Sequence, residues 1–401
     1  MKIINYIKEN GLKHVFEVIY RYKMDKIILM VMKPFLANKP LKDMIVIESH
    51  NDFDSNGGAF YNYLIKNNYH KKYKIVWLLK HQIPEKLPKN VVAVPLYKPS
   101  IKKNYYRLAA KWFTSDNDCI SKCREDQTAI YFGHGGFGLK NFKGLIEIPQ
   151  SIDFIAMPSH YLKEIFSEQM MMQPDDPRAC YIGFPYIDNF YNAEKGDLDK
   201  ITNKVYKKVV LWMPTFRKGG GHKRQDSVRI GKLGIPLIQN EKAYSELNEV
   251  LKTENMLLII KIHPMQDISD LGIGDMSNIK VLTGETVKEL EVDNYRLMKD
   301  CDALISDYSS AAYDFLHRNK PIAYDFSDIE DYKRGLCVEN PLDYIAGDIL
   351  KTQEDFFSFI QKIGQGVDDY YNERQILRRK IFDYYDGDNC RRAVELLKIG
   401  K

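Results

Sequence analysis

Four stretches of the chain set a chemically capable side chain directly after an apolar run that reads as a strand. In the first, Ala129–Lys140, His134 lies among Gly133, Gly135, Gly136 and Gly138. Glycines on both sides let backbone and substrate come close to the imidazole of His134; Gly135 leaves room and Lys140 offers charge to a phosphate. A tight turn with a solvated histidine is the plainer reading, but it has no need of four glycines. In the second, Leu211–Arg217, Thr215 and Arg217 stand at a strand end, where a guanidinium can fork onto a phosphate. An ordinary strand exit has the same look. In the third, His263 closes the run Leu257–Ile262 and Pro264 fixes the exit; a structural histidine fits equally well.

The fourth stretch carries the most. Ala303–Ser306 runs into Asp307, Tyr308, Ser309 and Ser310 and then straight into a helical pattern containing Asp314. Hydroxyls and free N–H groups at a helix start attract an anion, and N-capping by Ser309 would use the same atoms. There is no Ser/His/Asp order, G-x-S-x-G elbow or H-E-x-x-H, and the glycines around His134 make no dinucleotide fingerprint. The six cysteines offer only a lone C-x3-C at Cys119 and Cys123, so no metal site is expected, and a reduced intracellular chain is the simplest reading.

The elements that must hold these residues alternate. Strand-like runs at 44–48, 74–79, 91–95, 112–115, 129–132, 154–157 and 180–182 are separated by helical patterns at 57–66, 101–110 and 161–171. After a polar stretch, 192–204, a second series follows: strands at 208–212, 257–262, 279–282, 303–305 and 321–324, helices at 243–252, 292–299 and 309–318. Short apolar strands between helices imply buried parallel sheets in an α/β fold. The boundaries are set at 1–40 for a basic head, 41–195 and 205–375 for two Rossmann-like domains facing a central cleft, and 376–401 for a tail helix packing back across them. A loop over 217–240, with three consecutive glycines, is read as long and mobile.

Charge separates the head from the body. The first forty residues hold eight Lys/Arg against three Asp/Glu, which accounts for the whole net charge of +5. A neutral body argues against nucleic acid as a partner. In the head, apolar Ile3, Ile7, Leu12, Val15, Phe16 and Ile19 recur at helical spacing between lysines. That reads either as an amphipathic helix on an anionic membrane surface or as one packed on its own domain. The six-residue run Ile27–Met32 is far too short to span a bilayer.

Taken together, the boxes resemble the CDP-glycerol glycerophosphotransferase family, which builds teichoic-acid-type polyol phosphate polymers. His134 with Gly135 and Lys140 is similar to its His-Gly turn, Pro214–Arg217 to its P-T-F-R box, and His263 with Pro264 to its H-P box. Asp307–Ser310 with Asp314 is similar to its D-Y-S-S box. Glu48 and Ser49 with Asn56 and Tyr61, Gly183–Pro185 with Asp188, and Phe382–Gly387 with Arg391 complete the series in the family's order.

The resemblance implies a GT-B-type enzyme that moves glycerol phosphate, or a related polyol phosphate, from CDP-glycerol or another CDP-polyol to a hydroxyl of a lipid-linked or polymeric acceptor, releasing CMP. It implies work at the cytoplasmic face of the membrane, as a peripheral protein, in cell-wall or capsule synthesis, without a metal or other cofactor. His134 and His263 would be the catalytic pair, with His134 the base and His263 steadying the pyrophosphate. Thr215, Arg217, Ser309 and Ser310 would hold phosphates, and Asp307 and Asp314 would shape the site. Two departures touch the substrate end. One residue is added between His134 and Lys140, and Tyr186 stands where the family usually has arginine. A glycosyltransferase of the same fold using a nucleotide sugar is the alternative, and a non-catalytic subunit of a polymer-assembly complex is a third reading, disfavoured by the presence of both histidines.

Overall fold

The computed structural model of the chain describes residues 11–217, 227, 233–264, 266, 268 and 271–400. The first ten residues of the basic head and most of the 217–240 loop lie outside them. Helix α1 (Leu12–Leu36) leads into a parallel sheet of β1 (Lys42–Ile47), β2 (Lys74–Leu79), β3 (Val91–Pro95), β4 (Ala110–Ser115), β5 (Thr128–Tyr131), β6 (Phe154–Ala156) and β7 (Ala179–Cys180). Helices α2 (Ser55–Lys66), α3 (Ile101–Ala109), α4 (Lys163–Gln169) and α5 (Asn189–Asn192) accompany it.

A second parallel sheet holds β8 (Lys208–Trp212), β9 (Met256–Lys261), β10 (Ile279–Leu282), β11 (Ala303–Ser306), β12 (Ile322–Asp325) and β13 (Asp348–Leu350). Its helices are α6 (Glu241–Thr253), α7 (Gly284–Glu289), α8 (Asn294–Asp300), α9 (Ser310–Asp314) and α10 (Gln353–Gln365), and α11 (Tyr371–Ile381) and α12 (Asn389–Leu396) end the chain.

The strand orders are β3-β2-β1-β4-β5-β6-β7 and β10-β9-β8-β11-β12-β13. Each sheet therefore reverses direction once, between β1 and β4 in the first and between β8 and β11 in the second. In doubly wound sheets ligands settle outside the strand ends at such a reversal. The expected pair of Rossmann-like halves is what the chain forms. The strands are buried on both faces, and alternation sorts their residues: Leu257 and Ile259 join the large core shared with the first half, while Met256, Leu258 and Ile260 join a separate core under α6 and α10.

The polar stretch between the sheets is tied down rather than loose. Asp197 accepts the backbone N–H of Asp293 at 2.7 Å and pairs with Arg296 at 3.2 Å, both at the start of α8. The tail does return to the first half. Asp188 accepts the N–H groups of Asn389 (2.9 Å) and Cys390 (2.8 Å) at the start of α12, and the Trp112 indole donates to the Leu397 carbonyl at 2.8 Å.

The head differs from expectation. Helix α1 is docked on α3 through Asp25, which accepts from Asn104 at 2.9 Å and pairs with Lys103 at 3.0 Å. Its apolar residues lie on more than one side, so it is not the one-sided amphipathic helix read from the spacing. Val15 is buried, while Leu12, Phe16, Tyr20, Ile27, Val31 and Phe35 stay exposed along another side. No helix among the described residues is long and apolar enough to cross a membrane.

Candidate active site

The reversal in the second sheet is held by one guanidinium. Arg217, buried just past β8, donates to Asp307 at 2.6 Å and to Asp328 at 3.0 Å, and lies 3.6 Å from Asp325. It also donates to the Thr215 carbonyl and hydroxyl at 2.7 and 2.9 Å. The Thr215 hydroxyl in turn donates to Asp307 at 2.6 Å. Burial works against the Asp307 carboxylate, but Arg217 and Lys140 outweigh it and hold its pKa below the usual range. Asp325 shares the same cation less closely, and burial pushes it up to about 6. The fork expected to grip a phosphate is thus spent on carboxylates of this chain, and Thr215 with it. Their role here is to fix the strand ends.

From that cluster the order passes across the cleft. Tyr308 donates to Asp328 at 2.9 Å, and the Tyr308 carbonyl accepts the Leu139 N–H at 3.0 Å, from the loop that carries His134. Lys140 forms a β-bridge with Leu336, which brings its charge to bear on Asp307. The close seat requires glycine at two positions. A methyl group on Gly138 would come within 2.7 Å of the Ser310 nitrogen, and one on Gly136 within 2.6 Å of the Tyr186 hydroxyl and 2.7 Å of Asp314. Gly135 faces the Ser310 hydroxyl in the same seam. Ser309 stands at the N-cap of α9 but makes no side-chain capping bond. Ser309 and Ser310 are half-buried where the two halves meet.

Asp314 lies apart from Arg217. It is fully buried and accepts from the Tyr186 hydroxyl at 3.1 Å and the Tyr295 hydroxyl at 3.4 Å, and the two rings stack at 4.5 Å. Among the described residues no cation pairs with it, and burial pushes its pKa up to about 8, so at neutral pH it is mostly the uncharged acid. Tyr186, in the place where the resemblance suggests arginine, brings no positive charge to it; the two hydroxyl bonds pull the pKa down, and burial outweighs them.

His263 follows β9 and packs beside Phe216, ring centroids 5.1 Å apart. A narrow crevice of about 10 Å³ opens there, lined by Pro214, Thr215, Arg217, Gly234, His263 and Gln266. Lys261, two residues earlier, is a residue the sequence reading passed over. It is 6% exposed and has no hydrogen bond or ion pair among the described residues. Burial lowers its pKa, against the pull of Asp54 and Asp293. An ammonium held this way is costly for the fold unless an anion completes it.

The reversal in the first sheet is acidic as well. Past β1, β2 and β4 stand Glu48, Lys80 and Asp118, with Lys80 bonded to Glu48 at 2.7 Å and Asp118 at 3.0 Å. Asp116, buried, accepts from the Ser49 hydroxyl and the N–H groups of His50 and Gly57 at 2.9, 2.6 and 2.9 Å, and burial pushes it up to about 7. His134, past β5, opens to the cleft, with the Gly133 carbonyl held by Asn56 at 2.9 Å. Protein atoms still crowd the ring, and that crowding, then the charges of His50 and Lys80, pushes its pKa down to about 4. It is a free base at neutral pH. His50, also missed from sequence, touches it directly. The structure therefore sets His134 with Gly135 on the first half, His263, Thr215 and Arg217 around the recess on the second, Lys140 and the serines at the seam, and Asp314 in its own buried pocket.

The chain is similar to known proteins along most of its length. The family described as CDP-glycerol:poly(glycerophosphate) glycerophosphotransferase matches residues 31–398. A teichoic acid glycerol-phosphate primase of Bacillus subtilis (strain 168) is 25% identical over 342 residues, covering 80% of this chain and 79% of that one. A teichoic acid poly(glycerol phosphate) polymerase of Staphylococcus epidermidis is 26% identical over 362 residues, covering 81% of this chain but 46% of its own length. The solved wall teichoic acid polymerase TagF superposes with a TM-score of 0.71 at 19% identity, covering 98% of each chain, and so shares the fold.

The buried Asp314 makes a prediction about stability. Folded, it binds its proton more tightly than unfolded, where its pKa is near 3.8. Its contribution is full below that value and is lost as pH rises through about 8. Asp314→Asn should flatten this part of the profile, so that urea midpoints of wild type and variant diverge between pH 5 and pH 8, the wild type falling relative to the variant. Parallel curves would contradict a neutral Asp314.

Proposed function

The chain belongs to the CDP-glycerol:poly(glycerophosphate) glycerophosphotransferase family, and on that premise we propose that it transfers glycerol phosphate from CDP-glycerol to a hydroxyl of a lipid-linked or polymeric acceptor in cell-wall polymer synthesis. The observation that carries this is the family match across residues 31–398, which takes in both strand-order reversals and both histidines. Glycerol is favoured over ribitol as the polyol because the relatives matched over most of this chain are glycerol-phosphate enzymes.

In the reaction, the acceptor oxygen attacks the phosphorus that bears glycerol, the bond from that phosphorus to the CMP oxygen breaks, and CMP leaves with the electron pair. The acceptor's proton passes to His134, which is unprotonated and open to the cleft. The donor's diphosphate lies at the second reversal, beside His263, with Lys261 supplying the charge that Arg217 does not. Positioning and fixed charge are the main resources of phosphoryl transfer, and here we assign them to side chains, without a metal. The acidic first reversal suits a neutral hydroxyl better than a phosphate, which fits its use for the acceptor.

The test is release of CMP from CDP-glycerol in the presence of acceptor, with and without EDTA. His134→Ala should lower the transfer rate by roughly two to four orders of magnitude with donor affinity nearly unchanged. Wild-type turnover in that variant, or no CMP from any CDP-polyol, would overturn the reading.

The exposed side of α1 supports a peripheral position at the cytoplasmic membrane face, its apolar residues entering the lipid interface and the head's lysines meeting anionic headgroups. Phe16→Glu with Phe35→Glu should reduce cosedimentation with phosphatidylglycerol vesicles several-fold while leaving CMP release from a soluble acceptor unchanged. Equal binding by variant and wild type would remove the membrane from the account.

A further inference from the structure

His50 stands in the crevice of the first reversal, and nothing in the transfer chemistry above requires it. Its ring and that of His134 lie 3.9 Å apart between centroids, tilted by 47°. Three contacts hold it there: its N–H donates to Asp116 at 2.6 Å, its Nδ1 lies 3.1 Å from the Asn117 side-chain oxygen, and its carbonyl accepts from Lys80 at 3.3 Å. The amide oxygen can only accept, so Nδ1 carries the hydrogen and the neutral ring keeps its lone pair on Nε2. The backbone bond to Asp116 fixes where the residue sits, and Asn117 fixes how the ring is turned.

We infer that His50 is the positioning residue for His134, packing ring against ring so that the base stays turned toward the acceptor until the hydroxyl proton arrives. Two imidazoles in contact repel one another when both are cations, so protonating either disfavours the other. The surroundings reinforce this at His134. From β1 come Glu48 and Asp52, from β2 Lys80 and His81, and from β4 Asp116, Asn117 and Asp118. Lys80 is committed to Glu48 and Asp118, and Asp52 to the N–H groups of Lys80 and His81 at 2.9 and 2.8 Å. Asp116 accepts three hydrogen bonds and directs none of them to either imidazole side chain. Asn117, the group on the His50 ring, is uncharged, and among the described residues no carboxylate bonds either imidazole to neutralise a second positive charge on the pair. The charge of His50 is one of the influences that lower His134, after burial.

The inference rests on His134 being the base, and the experiment separates the two. Rates of CMP release at saturating and at low donor are measured from pH 4.5 to 8.5 for wild type, His50→Phe, His50→Gln and His134→Gln. Phenylalanine keeps a ring against His134 and removes the charge; glutamine removes both. With the charge gone His134 protonates at higher pH, so the acid limb moves up in both variants. At pH 5 the variants should keep a smaller share of their plateau kcat/KM than the wild type keeps of its own. His50→Phe should also hold the wild-type plateau, where His50→Gln loses several-fold in kcat through poorer orientation of the base. An acid limb that stays in place in both folded variants overturns the role of His50. Full activity in His134→Gln overturns the base reading instead. Should a variant not fold, the imidazole proton signals of the wild type decide: the His134 titration is broadened by that of His50 if they share charge, and follows a simple one-proton curve if they do not.

Discussion

Arg217 is a buried cation that must be neutralised where it stands, and much of the cleft is arranged to do so. Three carboxylates come to it from the ends of two neighbouring strands, Asp307 after β11 and Asp325 with Asp328 at the end of β12, while its own segment leaves β8. A guanidinium is the one side chain that can meet several such partners in a plane, and removing one side of a buried ion pair costs roughly 3–5 kcal/mol. Through Tyr308 the same cluster sets the carbonyl that receives Leu139, and thereby the loop of the opposite half that carries His134. His134 is thus located by a charge cluster on the other side of the cleft.

That dependence explains why the two reversals differ. Each half contributes the crevice that its strand order creates: Glu48, Asp116, Asp118, Lys80 and two imidazoles on one side, and on the other Arg217 with its three carboxylates beside His263 and Lys261, which has no partner among the described residues. The glycines at 136 and 138 allow the loop to lie against α9 at backbone distance. Tyr186, Tyr295 and the neutral Asp314 extend the seam without adding charge. A protein that must bring an anionic donor to a neutral hydroxyl benefits from such a division, because the acceptor side does not compete for phosphate.

Much of the fold was legible because buried parallel strands are short continuous apolar runs, and those at 74–79, 91–95, 208–212 and 279–282 fall where the pattern put them. Strand β13 escaped because three residues, one of them Asp348, carry too little apolar signal. Helix α1 was misjudged because spacing reveals that apolar residues recur but not how many sides they occupy. At the site, the histidines and the Asp-Tyr-Ser-Ser run were visible as polar residues after strands. Arg217 was assigned to phosphate because a guanidinium's partner, carboxylate or phosphate, leaves no trace in local sequence. His50 and Lys261 were missed for a related reason: one lacks flanking glycines, the other ends an apolar strand, and only the tertiary arrangement shows the ring beside His134 or the ammonium without a partner. The pairing of Asp314 with Tyr186 spans 128 residues and had no local signal.

The central claim is the division of the cleft, and a structure of the protein with CDP-glycerol bound tests it most directly. The diphosphate should lie at the β8/β11 reversal within hydrogen-bond reach of His263 and Lys261, with the glycerol end directed toward His134 and His50. A donor bound instead among Glu48, Asp116 and Asp118 at the β1/β4 reversal, or one whose phosphates are gripped by an Arg217 released from its three carboxylates, would contradict it.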